Sequence, residues 1–230
     1  MTERGVAART PGGGQHRCKA SPLPTRRAVR TLPIRLLLLF AAGFASADAG
    51  EAERARIRVA WAALDQVGLT RSYDPGYRPL DYPGGDVPID TGVCADVVVR
   101  ALRGIGVDLQ REVHEDMRAH FAAYPQRWRL TRPDRNIDHR RVPNLRRWFE
   151  RRGWSLAVSR RGRDYLPGDI VSWQLPGNLA HIGVVSTRFS PDRRQRLVVH
   201  NIAAGAVEED VLFAWPIDGH YRLPEAAASR

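Results

Sequence analysis

Cysteine is scarce: the 230-residue chain holds two, Cys18 and Cys94. That excludes a disulfide scaffold, because Cys18 falls in a leader and leaves Cys94 alone after cleavage. Long apolar runs are scarce too. Leu36–Phe44 is apolar, but Arg35 interrupts the run, and the stretch beyond it is too short to span a bilayer. Acid is almost missing from residues 1–35, which carry Arg, Gly and Pro instead. A basic start, an apolar stretch and the small-residue site Ala45-Ser46-Ala47 together read as a secretory signal peptide. Internal repeats and low-complexity tracts are missing from the body, so no solenoid or second domain is expected. The division is a leader over 1–47 and a single domain over 48–230. The product is expected to be exported to the periplasm or cell envelope, with no stable membrane span after cleavage.

Export changes the charge argument. The whole chain is +11, but the leader carries eight basic residues and one acid. The remainder has 28 basic and 24 acidic residues, or +4. Nucleic acid is therefore not an expected partner. The Arg-rich zone from Arg127 to Arg163 reads as a solvated basic surface, or as affinity for an anionic cell-envelope surface.

An unpaired cysteine in an exported protein is either buried and inert or a working thiol, since disulfides are its usual fate there. Cys94 sits where a turn becomes a helix. Asp81-Tyr82-Pro83-Gly84-Gly85 is too rich in Gly and Pro for a regular interior. Beyond it, Val97, Val98, Ala101, Leu102 and Ile105 share one helical face. A helix start favours a thiolate, through free backbone N–H groups and the helix dipole.

The remaining order is helices, then strands. Ile57, Ala60, Trp61, Leu64 and Val67 predict a helix over 51–67. Val113, Met117 and Phe121 predict another, stopped by Pro125. A third starts near Pro143 and ends at Gly153. Short strands are expected at 154–159, 170–173, 181–187, 197–201 and 207–213. The class is α+β, with an antiparallel meander packed on N-terminal helices.

Two histidines stand out. His181 opens one expected strand and His200 closes the next, so a hairpin brings them together. A nucleophilic thiol needs a base at about 3 Å and a third group to orient that base. Cys94, His181 and His200 supply all three, with Asn201 competing for the third role from the opposite face. His114 and His120 are six residues apart, the wrong spacing for a helical zinc pair, so no metal or other cofactor is expected.

These residues resemble a known family. Cys94 at a helix start, Pro167-Gly168-Asp169-Ile170-Val171, Ala180-His181-Ile182-Gly183-Val184-Val185 and Val198-Val199-His200-Asn201 follow the order of NlpC-like cell-wall cysteine peptidases, of the papain-like superfamily. The chain is more closely similar to a bacterial exported family catalogued as a domain of unknown function. That similarity covers about residues 55–224, through Tyr82-Pro83-Gly84-Gly85-Asp86, Val113–Met117, Asn136–Leu145, Leu175–Asn178 and Gly219-His220-Tyr221. The resemblance implies Cys94 as nucleophile, His181 as general base and His200 as its orienting partner. Tyr82, about a dozen residues before the cysteine, stands where such enzymes line the oxyanion site. The usual Asp-Cys-Ser-Gly reads Val93-Cys94-Ala95-Asp96 here, which puts a carboxylate beside the groove. Asp96, Arg140 and Arg141 are the candidate substrate-binding residues. The implied function is an exported cysteine peptidase or amidase acting on peptidoglycan. The alternatives are a papain-fold acyltransferase or lipid-directed thiol hydrolase, and a non-catalytic wall-binding module.

Overall fold

The computed structural model describes residues 35–225, with side chains from residue 49 onward; most of the leader expected over 1–47 lies outside the described residues. The first helix, α1 (Arg35–Leu64), starts well before the expected position 51 and runs through the apolar stretch 36–44. Among the described residues, no helix is long and apolar enough to cross a membrane.

After α1 the turn-rich segment contains two very short parallel strands, β1 (Ser72–Tyr73) and β2 (Thr91–Gly92). Helix α2 (Cys94–Arg103) comes directly after β2. Helix α3 (Leu109–His120) begins earlier than its apolar pattern implied, because the Asp108 carboxylate caps it by accepting the Gln110 N–H. Helix α4 (Val142–Arg151) carries Pro143 in its first turn, where a missing N–H costs nothing.

The second half is a six-stranded antiparallel sheet. Its strands are β3 (Ser155–Leu156), β4 (Ile170–Leu175), β5 (Leu179–Phe189), β6 (Arg196–Asn201), β7 (Ala206–Glu209) and β8 (Ile217–Tyr221), in the order β3-β8-β4-β5-β6-β7. The α+β class holds, but the simple meander does not. β8 inserts between β3 and β4, pairing Val171 with His220 and Ser155 with Tyr221.

The sheet buries both faces. Ile170, Ile182, Val184 and Val199 pack against α1, α2 and α4 in the main core. Val171, Trp173, Val185 and Val198 face the other way, into a smaller core with Tyr165 and Leu212. Phe149 of α4 stacks at 5.3 Å from Trp154 and 5.0 Å from Tyr221, closing the main core at its aromatic end. The turn into β4 requires glycine: Gly168 has φ +80°, and a Cβ there would lie 2.0 Å from the Arg56 carbonyl oxygen.

Candidate functional site

The site grows from the corner between β2 and α2. Val93 is the N-cap, in extended conformation, and Cys94 is the first helical residue. Asp96, one turn on, accepts the Val93 N–H at 2.6 Å. The Arg140 guanidinium grips the same carboxylate through Nε and Nη2, at 2.9 and 3.0 Å. It also donates to the carbonyl oxygens of Gly76 and Asp74, each at 3.0 Å. Both side chains are at most 3% exposed. Asp96 is therefore corrected as a substrate contact, while Arg140, its guanidinium engaged here, still lines the cavity at Cys94. Their polar atoms are consumed in a buried pair that locks α2, the 74–76 loop and the 138–140 turn around Cys94.

Asn201 braces the corner from the sheet, donating to the Gly92 and Ser72 carbonyl oxygens at 3.0 and 3.2 Å. Strand β5 braces it from the other side, where the Ile182 backbone N–H faces the Cys94 sulfur. The pairing of β5 with β6 runs to Val184 and Val199 and goes no closer to His181. The Cys94 corner thus binds two strands at the point where they separate.

Burial decides the resting thiol. It pushes Cys94 up to about 12, and the Asp96 charge adds to this, while backbone N–H groups of Ile182, Ala95 and Cys94 itself pull the other way. A resting thiolate, the expectation from the helix start alone, does not form. Desolvation exceeds the helix-terminal contribution.

His181 and His200 meet as expected, with His181 Nε2 and His200 Nδ1 3.0 Å apart. His200 Nε2 lies 3.1 Å from a Glu209 carboxylate oxygen. Glu209 escapes a reading of the sequence alone. Its signal is alternation: with β6 and β7 paired, Glu209 shares a face with Val207, the partner of His200. The carboxylate fixes the tautomers. His200 donates from Nε2 to Glu209 and accepts at Nδ1 from His181 Nε2–H. That leaves His181 Nδ1 with a free lone pair.

The two rings lie on the sheet face of Trp173, with the Trp173 and Trp215 rings 5.6 and 6.0 Å from His181. Cys94 belongs to the opposite face and touches β5 at the His181–Ile182 peptide. Among the described residues the hydrogen bonds of the two rings run to each other and to Glu209, none to sulfur. Burial and the His200 neighbour lower His181 to about 3, so it rests neutral.

Cys94 opens on a cavity of about 400 Å³, walled by Tyr73, Tyr77, Trp128, Arg141 and Ala180. Arg141 keeps a place there: it stacks over Trp128 at 4.2 Å and pairs with Asp138 at 3.2 Å. Tyr82 does not line this cavity, which corrects its assignment to the oxyanion site. Its hydroxyl donates to Glu115 at 2.6 Å and its ring meets the His114 ring edge-on. Tyr73 occupies the cavity wall instead, its phenol raised to about 12 by burial and by the neighbouring Cys94 and Asp96.

The buried titratable groups give a pH-dependent stability. Burial lowers His139 to about 4 and His181 to about 3. Below their ordinary value of 6.5 the unfolded chain takes up protons that the folded chain refuses. Stability present above pH 6.5 is therefore lost as pH falls toward 4. Asp138 is raised by burial to about 6 and acts in the opposite sense, adding stability as pH falls from 6 toward 3.8. Two histidines outweigh one carboxyl. Urea unfolding at pH 5 is expected to give a free energy roughly 2 kcal/mol below that at pH 7. Equal values at both would contradict the neutral burial of these rings.

Fold and site together define an α+β domain with a lone buried cysteine at a helix start and a carboxylate-anchored histidine pair on its sheet. Residues 60–223 match the family described as Domain of unknown function (DUF1287), and the chain belongs to that family. The Escherichia coli (strain K12) protein described as "Uncharacterized protein YijF" is 59% identical over 166 residues, covering 72% of this chain and 80% of its own length. No solved structure matches the chain.

Proposed function

We propose that this protein is an exported cysteine hydrolase of the NlpC-like, papain-like kind, cleaving an amide bond in peptidoglycan. One observation carries the reading: Cys94 opens helix α2 on a cavity wall and lies against β5 at the His181–Ile182 peptide, while the chain from Glu209 through His200 leaves the His181 Nδ1 lone pair free on the other face of that strand. The reading requires that, with substrate in the cavity, β5 turns the His181 ring to the Cys94 face, where Nδ1 takes the thiol proton as sulfur attacks the amide carbonyl carbon. The developing oxyanion is held by the Cys94 N–H, with the Tyr73 hydroxyl on the same wall. His181 passes the proton to the leaving amine as the C–N bond breaks. Water then hydrolyses the thioester, giving its proton to His181 and releasing a carboxylic acid and the free thiol. A neutral resting pair suits general-base attack better than a preformed thiolate. Proton transfer becomes favourable as the C–S bond forms, because the charge then passes to the carbonyl oxygen, where the Cys94 N–H and the Tyr73 hydroxyl stabilise it.

The buried, protonated thiol also favours a second reading, a wall-binding module that keeps the fold without turnover. An acyltransferase would share the first half of the chemistry and pass the acyl group to another amine. Digestion of purified peptidoglycan, with mass spectrometry of the products beside a Cys94→Ala control, separates the three. New carboxyl and amine ends from the wild type alone support the hydrolase. Transferred acyl groups support the transferase. No product with retained sacculus binding supports the module.

Glu209 is half exposed, so its contribution is modest. Glu209→Gln is expected to slow hydrolysis about ten-fold, the worth of one charge-assisted hydrogen bond. An unchanged rate would remove Glu209 from the relay.

A further inference from the structure

A second cavity, of about 580 Å³, adjoins the one at Cys94. The two share Tyr77, and the consecutive pairs Trp128–Arg129 and Asn136–Ile137 put one residue in each. The two cavities thus lie side by side, Cys94 in one and the arginines in the other.

The second cavity is cationic. Arg129, Arg132 and Arg135 line it, with Asp134 as the one carboxylate. Arginines close by are paired, Arg118 with Glu115 and Arg141 with Asp138. Among the described residues Arg129, Arg132 and Arg135 make no ion pair. Asp134 is turned to its own loop, where it accepts the Asn136 N–H at 2.9 Å. His114 also lines the cavity, and its Nδ1 is buried without a hydrogen-bond partner. The loop is held from behind. Gln110 donates to the Arg135 carbonyl oxygen, Asn136 accepts the Leu80 N–H, and Asn136 donates to the Tyr77 hydroxyl. Arg135 lies over the Tyr82 ring at 5.5 Å.

A solvated basic surface needs neither a concave wall, nor an orphaned ring nitrogen, nor a braced backbone. Guanidinium forks match planar or tetrahedral oxyanions, and uncompensated positive charge in a concavity concentrates anions. We propose that the cavity of Arg129, Arg132 and Arg135 is an anion subsite holding a carboxylate or phosphate of the same substrate whose amide lies at Cys94. The subsite rests on the hydrolase reading for its substrate, and it deepens that reading by making the substrate an anionic acyl compound. It also gives Tyr82 a place, as part of the wall behind Arg135.

The test is binding without turnover. The full chain carrying Cys94→Ala is titrated, with NMR detection, against N-acetylglutamate amide, its uncharged glutamine analogue and inorganic phosphate. The glutamate compound is expected to bind about ten-fold more tightly than the glutamine one. Adding Arg132→Gln and Arg135→Gln is expected to abolish the difference, while Arg163→Gln, outside the cavity, preserves it. Phosphate binding more tightly than the glutamate compound, with the same dependence on Arg132 and Arg135, assigns the subsite to a phosphate-bearing substrate; weaker phosphate binding assigns it to a carboxylate. Equal affinity for the two amides with no phosphate binding overturns the proposal. So does discrimination that survives Arg132→Gln with Arg135→Gln. Failure of the hydrolase reading would look different: anion binding intact, with no digestion of peptidoglycan by the wild type.

Discussion

Cys94→Ala and His181→Gln are each expected to lower amide hydrolysis by about three orders of magnitude or more while leaving the fold intact. In the proposed mechanism the two residues act as one unit, so the double variant should be no slower than the worse single one. Alanine at 94 removes one sulfur from a corner held by other groups: Asn201 to Gly92, Asp96 to the Val93 N–H, Arg140 to Asp96. Glutamine at 181 retains an N–H for His200 and much of the volume beside Trp173 and Trp215, but it cannot take a proton at neutral pH. Circular dichroism and melting temperature should stay near the wild type. Cys94→Ala with wild-type turnover would end the nucleophile assignment outright.

Asp96→Ala should be the most damaging single change to stability, by about 3–5 kcal/mol in urea unfolding. The substitution leaves the Arg140 guanidinium buried opposite nothing, frees the Val93 N–H, and unties the 74–76 loop from α2. Asp96→Ala combined with Arg140→Leu removes the stranded charge and should recover part of the loss. The comparison tells a structural ion pair from a substrate-binding one. If Asp96→Ala left stability unchanged and only weakened substrate binding, the carboxylate would belong to the groove as the sequence alone implies.

Asp96 marks the limit of what a sequence can carry. Cys94 is legible because a Gly- and Pro-rich turn meets an apolar helical stripe at that residue. His181 and His200 are legible because two alternating strands joined by a hairpin fix each other's register, and the same alternation separates Asn201 from the pair. Asp96 is misread because its partner, Arg140, is 44 residues away across an irregular segment, and no local pattern announces that pairing. Tyr73 is hidden for a similar reason: its strand is two residues long, and its place beside Cys94 depends on parallel pairing with Thr91–Gly92. Tyr82 sits at the right distance along the chain and on the wrong wall. Strand β8 is hidden because Asp218-Gly219 interrupts its apolar alternation, although it pairs with both β3 and β4. Short-range periodicity thus reveals the elements and the thiol–imidazole candidates. The contacts that hold them in place, and the choice of cavity wall, belong to pairings distant in sequence.

The proposed chemistry turns on whether Cys94 sulfur bonds covalently to substrate carbon. Peptidoglycan fragments mixed with the protein and quenched in acid within the first turnovers, followed by peptide-level mass spectrometry, ask this directly. The predicted result is an acyl adduct on Cys94, released by hydroxylamine, that fails to form in the His181→Gln protein. Digestion products without any adduct, and undiminished in the Cys94→Ala protein, would contradict it.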